Sequence, residues 1–397
     1  MPPFVPGLEL ADALYREAVG PILERAFPRL VYSAAILGTG SEVLGFDTER
    51  STDHEWGPRL QIFVADHDLS RLAPAIDEVL RRDLPREIRG VPTGFGPTAE
   101  EGIRVLRRVE AGPVAHKVEV TTVAAFMEER LGVSDWRDLD PVDWLLCSGQ
   151  SLLEVTAGAV FQDGLGELEP ARAALAWYPA DVWRLLLAAQ WARIGQLEPF
   201  VGRCGEVGDE VGSALVAASL ARDVMGLGFL MERRYAPYPK WFGSAFARLA
   251  CADGLLPHLD GALAARSWPE REGHLAHAFA ATAAMHNGLG LTALLPERVS
   301  PFWGRPFRVI HGDRFADALR ATIEDPRVRR LPEGIGAIDQ WVDSTDVLAS
   351  AERRRRLQML YTAGEKAASA PSAADLGLPN PPATGRPLQG DLPLVPN

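Results

Sequence analysis

Residues 36–56, Ile36-Leu-Gly-Thr-Gly-Ser-Glu-Val-Leu-Gly-Phe-Asp-Thr-Glu-Arg-Ser-Thr-Asp-His-Glu-Trp56, decide how the first part of this 397-residue chain reads. The apolar run Val31 to Leu37 predicts a strand that ends in Gly38-Thr-Gly-Ser41. Glycines in such a turn can take positive φ and let backbone N–H groups approach a phosphate. A helical turn at Ser41–Gly45 and a polar loop, Phe46 to Thr52, come next. From Asp53 to Val64 the pattern alternates, with Asp53, Glu55, Gly57, Arg59 and Gln61 on one side and His54, Trp56, Pro58, Leu60, Ile62 and Val64 on the other. This predicts a second strand with two carboxylates on one face, a spacing at which they can share a divalent cation. Pro58 has no N–H to give a ladder, so that strand is expected to be bulged or at an edge. Lys117-Val-Glu-Val-Thr-Thr122 alternates again. If it lies beside the second strand, Glu119 completes a cluster of three carboxylates.

Three phrases, Gly40-Ser41, Asp53-His-Glu55 and Val118-Glu119-Val120, with Gly45 at a second glycine position, resemble the nucleotidyltransferase superfamily that includes DNA polymerase β and kanamycin nucleotidyltransferase. Each alone would pass as an ordinary turn or surface strand; their combination carries the resemblance. It implies an α+β protein, with an N-terminal nucleotidyltransferase fold built on a mixed β-sheet over residues 1–169 and an all-α helical bundle over 170–366 that closes over the site. It also implies two Mg²⁺ ions held by Asp53, Glu55 and Glu119, and a nucleoside triphosphate, expected to be ATP, as co-substrate. Gly40 and Ser41 would seat its phosphates, with Arg59, Lys117 and Lys240 as further phosphate ligands. Two ions would neutralise charge on both sides of the α-phosphorus while pyrophosphate leaves. The implied reaction transfers a nucleoside monophosphate, AMP in the first instance, to a hydroxyl of a small-molecule acceptor. A protein or tRNA acceptor, and a nucleotide-binding regulator without turnover, stay open. Glu42 puts a negative charge beside the triphosphate seat unless it points away or meets a metal or an arginine; Arg50 and Arg59 are near in sequence.

The wider chain, over most of residues 8–360, is also similar to a bacterial family known only as a domain of unknown function. Gly40-Ser-Glu-Val-Leu-Gly-Phe-Asp47, Asp53-His-Glu-Trp-Gly-Pro58 and Tyr238-Pro-Lys-Trp-Phe-Gly243 carry that likeness. It brings no substrate.

Composition sets outer bounds. With 47% hydrophobic residues the chain is globular, and its net charge of −12 argues against stable nucleic-acid binding through non-specific phosphate contacts. No N-terminal signal and no uninterrupted apolar span long enough for a bilayer are evident, so a cytoplasmic location and no membrane partner are expected. A homodimer is left open. Cys147, Cys204 and Cys251 have no CxxC spacing and read as buried or inert thiols. Lysines are confined to Lys117, Lys240 and Lys366, against many arginines, so arginine clusters carry little weight.

Helical spacing predicts an opening helix over Leu8 to Phe27, an amphipathic helix over Asp68 to Leu84 and further helices over Ala124–Leu131 and Pro141–Leu153. Arg86 to Arg108 reads as an irregular excursion with at most one short strand, and Ala159 to Gly164 as an edge strand with its turn. Pro179–Ile194, Glu206–Tyr235, Trp241–Cys251, Gly261–Ala264, Arg271–Asn287 and Asp313–Ile323 are helical candidates. Residues 367–397, rich in Pro and Ala, read as a disordered tail. Asp209 or Glu210 is a candidate acceptor base by the resemblance, against an ordinary capped helix. His274, His277 and His286 hint at a metal without an evident further ligand. Arg233 and Arg234 are either phosphate ligands or helix-terminal charges, and Arg353 to Arg356 read as a solvated face.

Overall fold

The computed structural model describes residues 4–53, 55–98 and 103–362, with Asp53 by its backbone only. His54 and the tail over 367–397 lie outside the described residues. The fold is α+β. Its strands are β1 Ser33–Ile36, β2 Arg59–Phe63, β3 Glu87–Ile88, β4 Val91–Pro92, β5 Gly94–Pro97, β6 Arg104–Arg107, β7 Lys117–Thr121, β8 Ala159–Asp163, β9 Ser300–Phe302 and β10 Arg305–Val309. Four of them form a mixed sheet in the order β7-β2-β1-β8, with β1 antiparallel to both neighbours and β2 parallel to β7. Parallel strands need a long crossover, and here it runs through the helix Leu69–Asp83 and two small hairpins.

Register assigns the two faces. Arg59 pairs with Lys117, Gln61 with Glu119 and Phe63 with Thr121, so all six share one face. The alternate residues Leu60, Ile62 and Val118 point the other way, into a core shared with Leu72, Ile76 and Leu80, successive inward positions of the helix Leu69–Asp83. That core also takes the opening helical segment, Gly7 to Ala26, which contains a π turn at Tyr15–Val19. Pro21 has no N–H to return to Glu17, and the wider turn sits just before it. The larger core begins at Ala35, Leu37 and Phe63 on the opposite face and continues through helices as far as Tyr361. It includes both Leu168 and Ala171.

Several expectations need correction. The alternation from Asp53 to Val64 is not one strand: Glu49–Asp53 is a 3₁₀ turn, Glu55 has φ 55°, Gly57 has φ 143°, and the ladder starts only at Arg59. The cause is the β5–β6 hairpin. A Cβ on Gly57 would lie 2.6 Å from Leu106 Cδ2 and 2.9 Å from Phe95 Cζ, so glycine lets the hairpin pack there. Pro58 consequently precedes the strand instead of interrupting it. The excursion Arg86–Arg108 holds two hairpins, β3–β4 and β5–β6. Pro141–Leu153 breaks into Pro141–Leu146 and Gly149–Thr156, the second capped by Ser148, whose side chain accepts from Ser151 N.

The C-terminal half is not all α. β9 and β10 pair around Trp303-Gly304, with φ 50° and 80°, the left-handed pair that a tight two-residue hairpin turn requires. Pro301 and Pro306 are both exposed, as expected of proline in edge strands. β10 packs on the helix Trp268–Gly288, which belongs to a bundle with the helices Ala180–Leu197, Glu210–Met231, Ala252–Ala264 and Gly312–Ala321. Trp191, fully buried, stacks on Phe315 at 4.2 Å and anchors that packing. Glu210–Met231 is, by length and composition, apolar enough to cross a membrane, but Arg222-Asp223 interrupts it and more than half of its most apolar stretch is buried in the protein. Core packing explains its apolarity.

Candidate functional site

The glycine turn is held from below. Gln61 clamps the end of β1, its Oε1 accepting from Leu37 N at 3.0 Å and its Nε2 donating to Leu37 O at 3.1 Å. Gly38 N donates to Glu154 O at 2.7 Å. Gly38 and Gly40 take φ 82° and 137°, conformations that side chains resist. At Gly40 a Cβ would also run into the Arg59 guanidinium and lie 2.6 Å from Glu42 Oε2. The turn over residues 41–45 then closes through Phe46 N to Ser41 O at 2.9 Å. The Ser41 hydroxyl makes no hydrogen bond to another described residue.

Charges gather around this turn in pairs. Glu42, only 2% exposed, accepts from Arg59 Nε at 2.6 Å, and the same guanidinium donates to Thr39 O. Glu42 thus meets an arginine. Lys117, on the strand beside Arg59, forms an ion pair with Glu55. The other Glu55 oxygen accepts from Arg104 N at 2.5 Å, while Glu55 N donates to Arg104 O at 2.9 Å. These bonds to β6 hold Glu55 in its left-handed conformation. The Lys117 ammonium lies 5.1 Å from the Phe95 ring centre. Burial pushes its pKa down, with the Glu42 carboxylate acting in the opposite direction.

Glu119 is exposed and makes no hydrogen bond or ion pair with another described residue. It follows Lys117 by two positions on the same strand face, so the Glu55 carboxylate, clamped on Lys117, stands over the strand that carries Glu119. The Asp53 side chain lies outside the described residues. Arg130 is a neighbour that sequence reasoning missed: its guanidinium would be 3.7 Å from a Cβ on Gly38 and it pairs with Glu154 at 3.1 Å. No motif marks it, because only tertiary packing brings it to the turn.

The helical half reaches the same turn. Phe46 stacks on Trp241 with centroids 5.1 Å apart and planes 8° from parallel. The Arg248 guanidinium lies 3.8 Å from the Phe46 ring centre and donates to Gly45 O at 2.9 Å. Lys240 is exposed, 4.9 Å from the Trp241 ring, and makes no hydrogen bond or ion pair with the other candidates among the described residues.

Other candidates have structural employment. Asp209 caps the helix Glu210–Met231 by accepting from Gly212 N at 2.7 Å, and Glu210 pairs with Arg271 at 3.0 Å. Arg233 lies over the Trp183 ring at 4.3 Å. Of Arg353–Arg356, expected to be solvated, Arg354 is 1% exposed and bonds the carbonyls of Leu348 and Arg130. His286 is a core histidine bonded to Thr292 at 3.0 Å, and burial lowers its pKa to about 4. His277 stacks on His258 at 5.1 Å. Among the described residues, no group of three or more His, Cys, Asp or Glu is placed to hold a metal ion. Cys147 is buried, its thiol pushed up to about 12 by desolvation, while Cys204 and Cys251 are half-buried.

Residues 144–242 match a family described as a domain of unknown function, DUF4037. The match starts in the helix Pro141–Leu146 and ends on Phe242, in the helix that meets the glycine turn. No curated protein and no solved structure matches the chain.

Proposed function

We propose that the chain is a metal-dependent nucleotidyltransferase, with a nucleotidyltransferase fold over 1–169 and a helical domain over 170–366, that moves AMP from ATP to an acceptor hydroxyl. The observation that carries this reading is a convergence at one strand face: Arg59 and Lys117 sit beside a glycine turn whose Ser41 hydroxyl has no partner among the described residues, Glu119 lies two positions beyond Lys117 on that face, and Glu55, just before the ladder, is paired to Lys117. Oxygen donors of this kind suit Mg²⁺. Asp53, Glu55 and Glu119 would hold the ions, which supply charge neutralisation at the α-phosphate.

The chain's own residues do the rest. Gly38 and Gly40 keep side chains away from the phosphate seat. Arg59, with Nε fixed by Glu42 and one further N–H on Thr39 O, is oriented in advance and keeps its remaining donors for phosphate oxygens. Lys117 holds Glu55 in place, and with that carboxylate on a metal ion its ammonium would be available to phosphate. Glu119, exposed and without a partner among the described residues, is the carboxylate best placed to accept the acceptor's proton.

A regulator that binds nucleotide without turnover is the second reading, favoured by the engagement of both Glu55 oxygens, one by Lys117 and one by Arg104 N. The experiment incubates the protein with ATP labelled at the α-phosphate, Mg²⁺ or Mn²⁺, a panel of hydroxylated small molecules and cell lysate, for wild type, Asp53→Asn and Glu119→Gln. Label on a small molecule that both substitutions abolish supports the proposal. Label on protein or RNA keeps the chemistry and changes the acceptor. Nucleotide binding without transfer under every condition sinks the proposal in favour of the regulator.

A further inference from the structure

The helical half, with Ser148 to Gln150, lines an open cavity of about 510 Å³, the size of a small-molecule site. It is walled by Trp177, Tyr178, Phe229, Tyr235, Tyr238 and Phe242, with Asp223 and Asp339 among the residues that line it. Two lining residues carry buried polar atoms with no partner, Trp177 Nε1 and Asp223 Oδ2. Buried polar groups are ordinarily satisfied, and a carboxylate oxygen left bare is costly. Asp223 is only 4% exposed, and its other oxygen is fully used by Gln190 Nε2 at 2.8 Å and Arg193 Nε at 3.0 Å. The Tyr178 hydroxyl also makes no hydrogen bond among the described residues. The site therefore offers a bare acceptor and two bare donors inside an aromatic wall.

Three arginines and three aspartates line the cavity, but two of the arginines are exposed while Asp223 is buried and Asp339 half-buried, so its inner charge favours a cation. Arg193 is committed to Asp223, and Arg222 lies 3.9 Å from Asp343. Arg234 is exposed. Asp339 accepts from Gly149 N at 2.6 Å and forms no ion pair among the described residues, although Arg222 and Arg354 act on it from a distance. We propose that this cavity binds a small amine-bearing organic molecule, its ring body against the aromatic wall and its ammonium between Asp223 and Asp339. Aromatic faces attract ammonium groups as well as rings, which reinforces the carboxylates. Burial raises the pKa of both acids, a penalty that a bound cation would relieve. The proposal does not depend on nucleotide transfer, since it rests only on the cavity.

Three probes of nearly equal size separate the outcomes: 2-phenylethylamine, 2-phenylethanol and phenylacetate, titrated into the full chain by calorimetry and by saturation-transfer NMR. The amine should bind at least about tenfold more tightly than either relative, as expected when a charged hydrogen bond is gained in a buried site. Asp223→Asn should remove most of that preference. Because Asp223 also orders Arg193, a second variant guards against misfolding. Gly243 lines the cavity and a Cβ there meets nothing within 4 Å, so Gly243→Phe should fill the space without a backbone clash and abolish binding. Equal or tighter binding of phenylacetate, undiminished amine affinity in both variants, or no amine binding at all would each overturn the proposal.

Discussion

Replacing Glu42 by glutamine should move stability and anion affinity in opposite directions. The carboxylate is 2% exposed and holds Arg59 Nε at 2.6 Å, so the substitution strips a buried guanidinium of its counter-charge. Removing one partner of a buried pair costs about 3–5 kcal/mol. Here glutamine keeps an oxygen for Arg59, which also retains Thr39 O, so an expected loss of about 1–2 kcal/mol is the better figure. The affinity term has the other sign. A negative charge within about a Debye length of bound phosphate repels it, and removing that charge should raise the affinity by up to about tenfold. The assay is urea denaturation with and without ATP, alongside titration with inorganic tripolyphosphate at fixed ionic strength. A Glu42→Gln protein that is destabilised yet binds triphosphate no better would show that Arg59 and Lys117 do not face a phosphate seat.

Three further outcomes are expected. Gly57→Ala must place a methyl against Leu106 and Phe95 at φ 143°, and should cost about 2–4 kcal/mol, read as a lowered melting temperature and early proteolysis near the β5–β6 hairpin. Phe46 and Trp241 should couple by about 1 kcal/mol in a double-mutant cycle to alanine, measured by denaturation. Glu198 accepts from the backbone N–H groups of Ile310, His311 and Gly312, and burial pushes its carboxyl up to about 7. The folded state then holds that proton more tightly than the unfolded chain. The stability it confers should be complete below about pH 4.5 and fall as pH rises towards 7, and Glu198→Gln should flatten that slope in urea midpoints.

Segments with strong local patterns were legible in the sequence. Alternation located β7, and helical spacing located Leu69–Asp83 with Leu72, Ile76 and Leu80 inward. The failure at Asp53–Val64 came from the same rule. A two-residue period continues through Gly57-Pro58, but it cannot register that Phe95 and Leu106 will press on Gly57 and that Arg104 will turn Glu55 left-handed. β9–β10 was hidden because its prolines argue against a strand unless one knows they are at an edge. In sequence Glu42 conflicts with a phosphate seat, and only the fold, by bringing Arg59 on β2 against the turn, resolves that conflict. The cavity was illegible for a different reason. Its wall joins residues near 150, 177, 223, 240 and 340, each ordinary within its own helix or loop.

The helix Gly149–Thr156 stands between the two compartments. Gln150 lines the cavity, accepts from Tyr238 N at 3.1 Å and donates to Glu154 at 3.0 Å, while Glu154 O takes the amide of Gly38 in the glycine turn. A shared partition of two turns restricts how this lineage can diverge. A change that reshapes one chamber alters the scaffold of the other, so drift at Gln150 should be accompanied by compensating change around Gly38 and Tyr238. Relatives with altered cavity walls should carry correlated replacements at the turn, a signature of joint inheritance that separate walls would not leave.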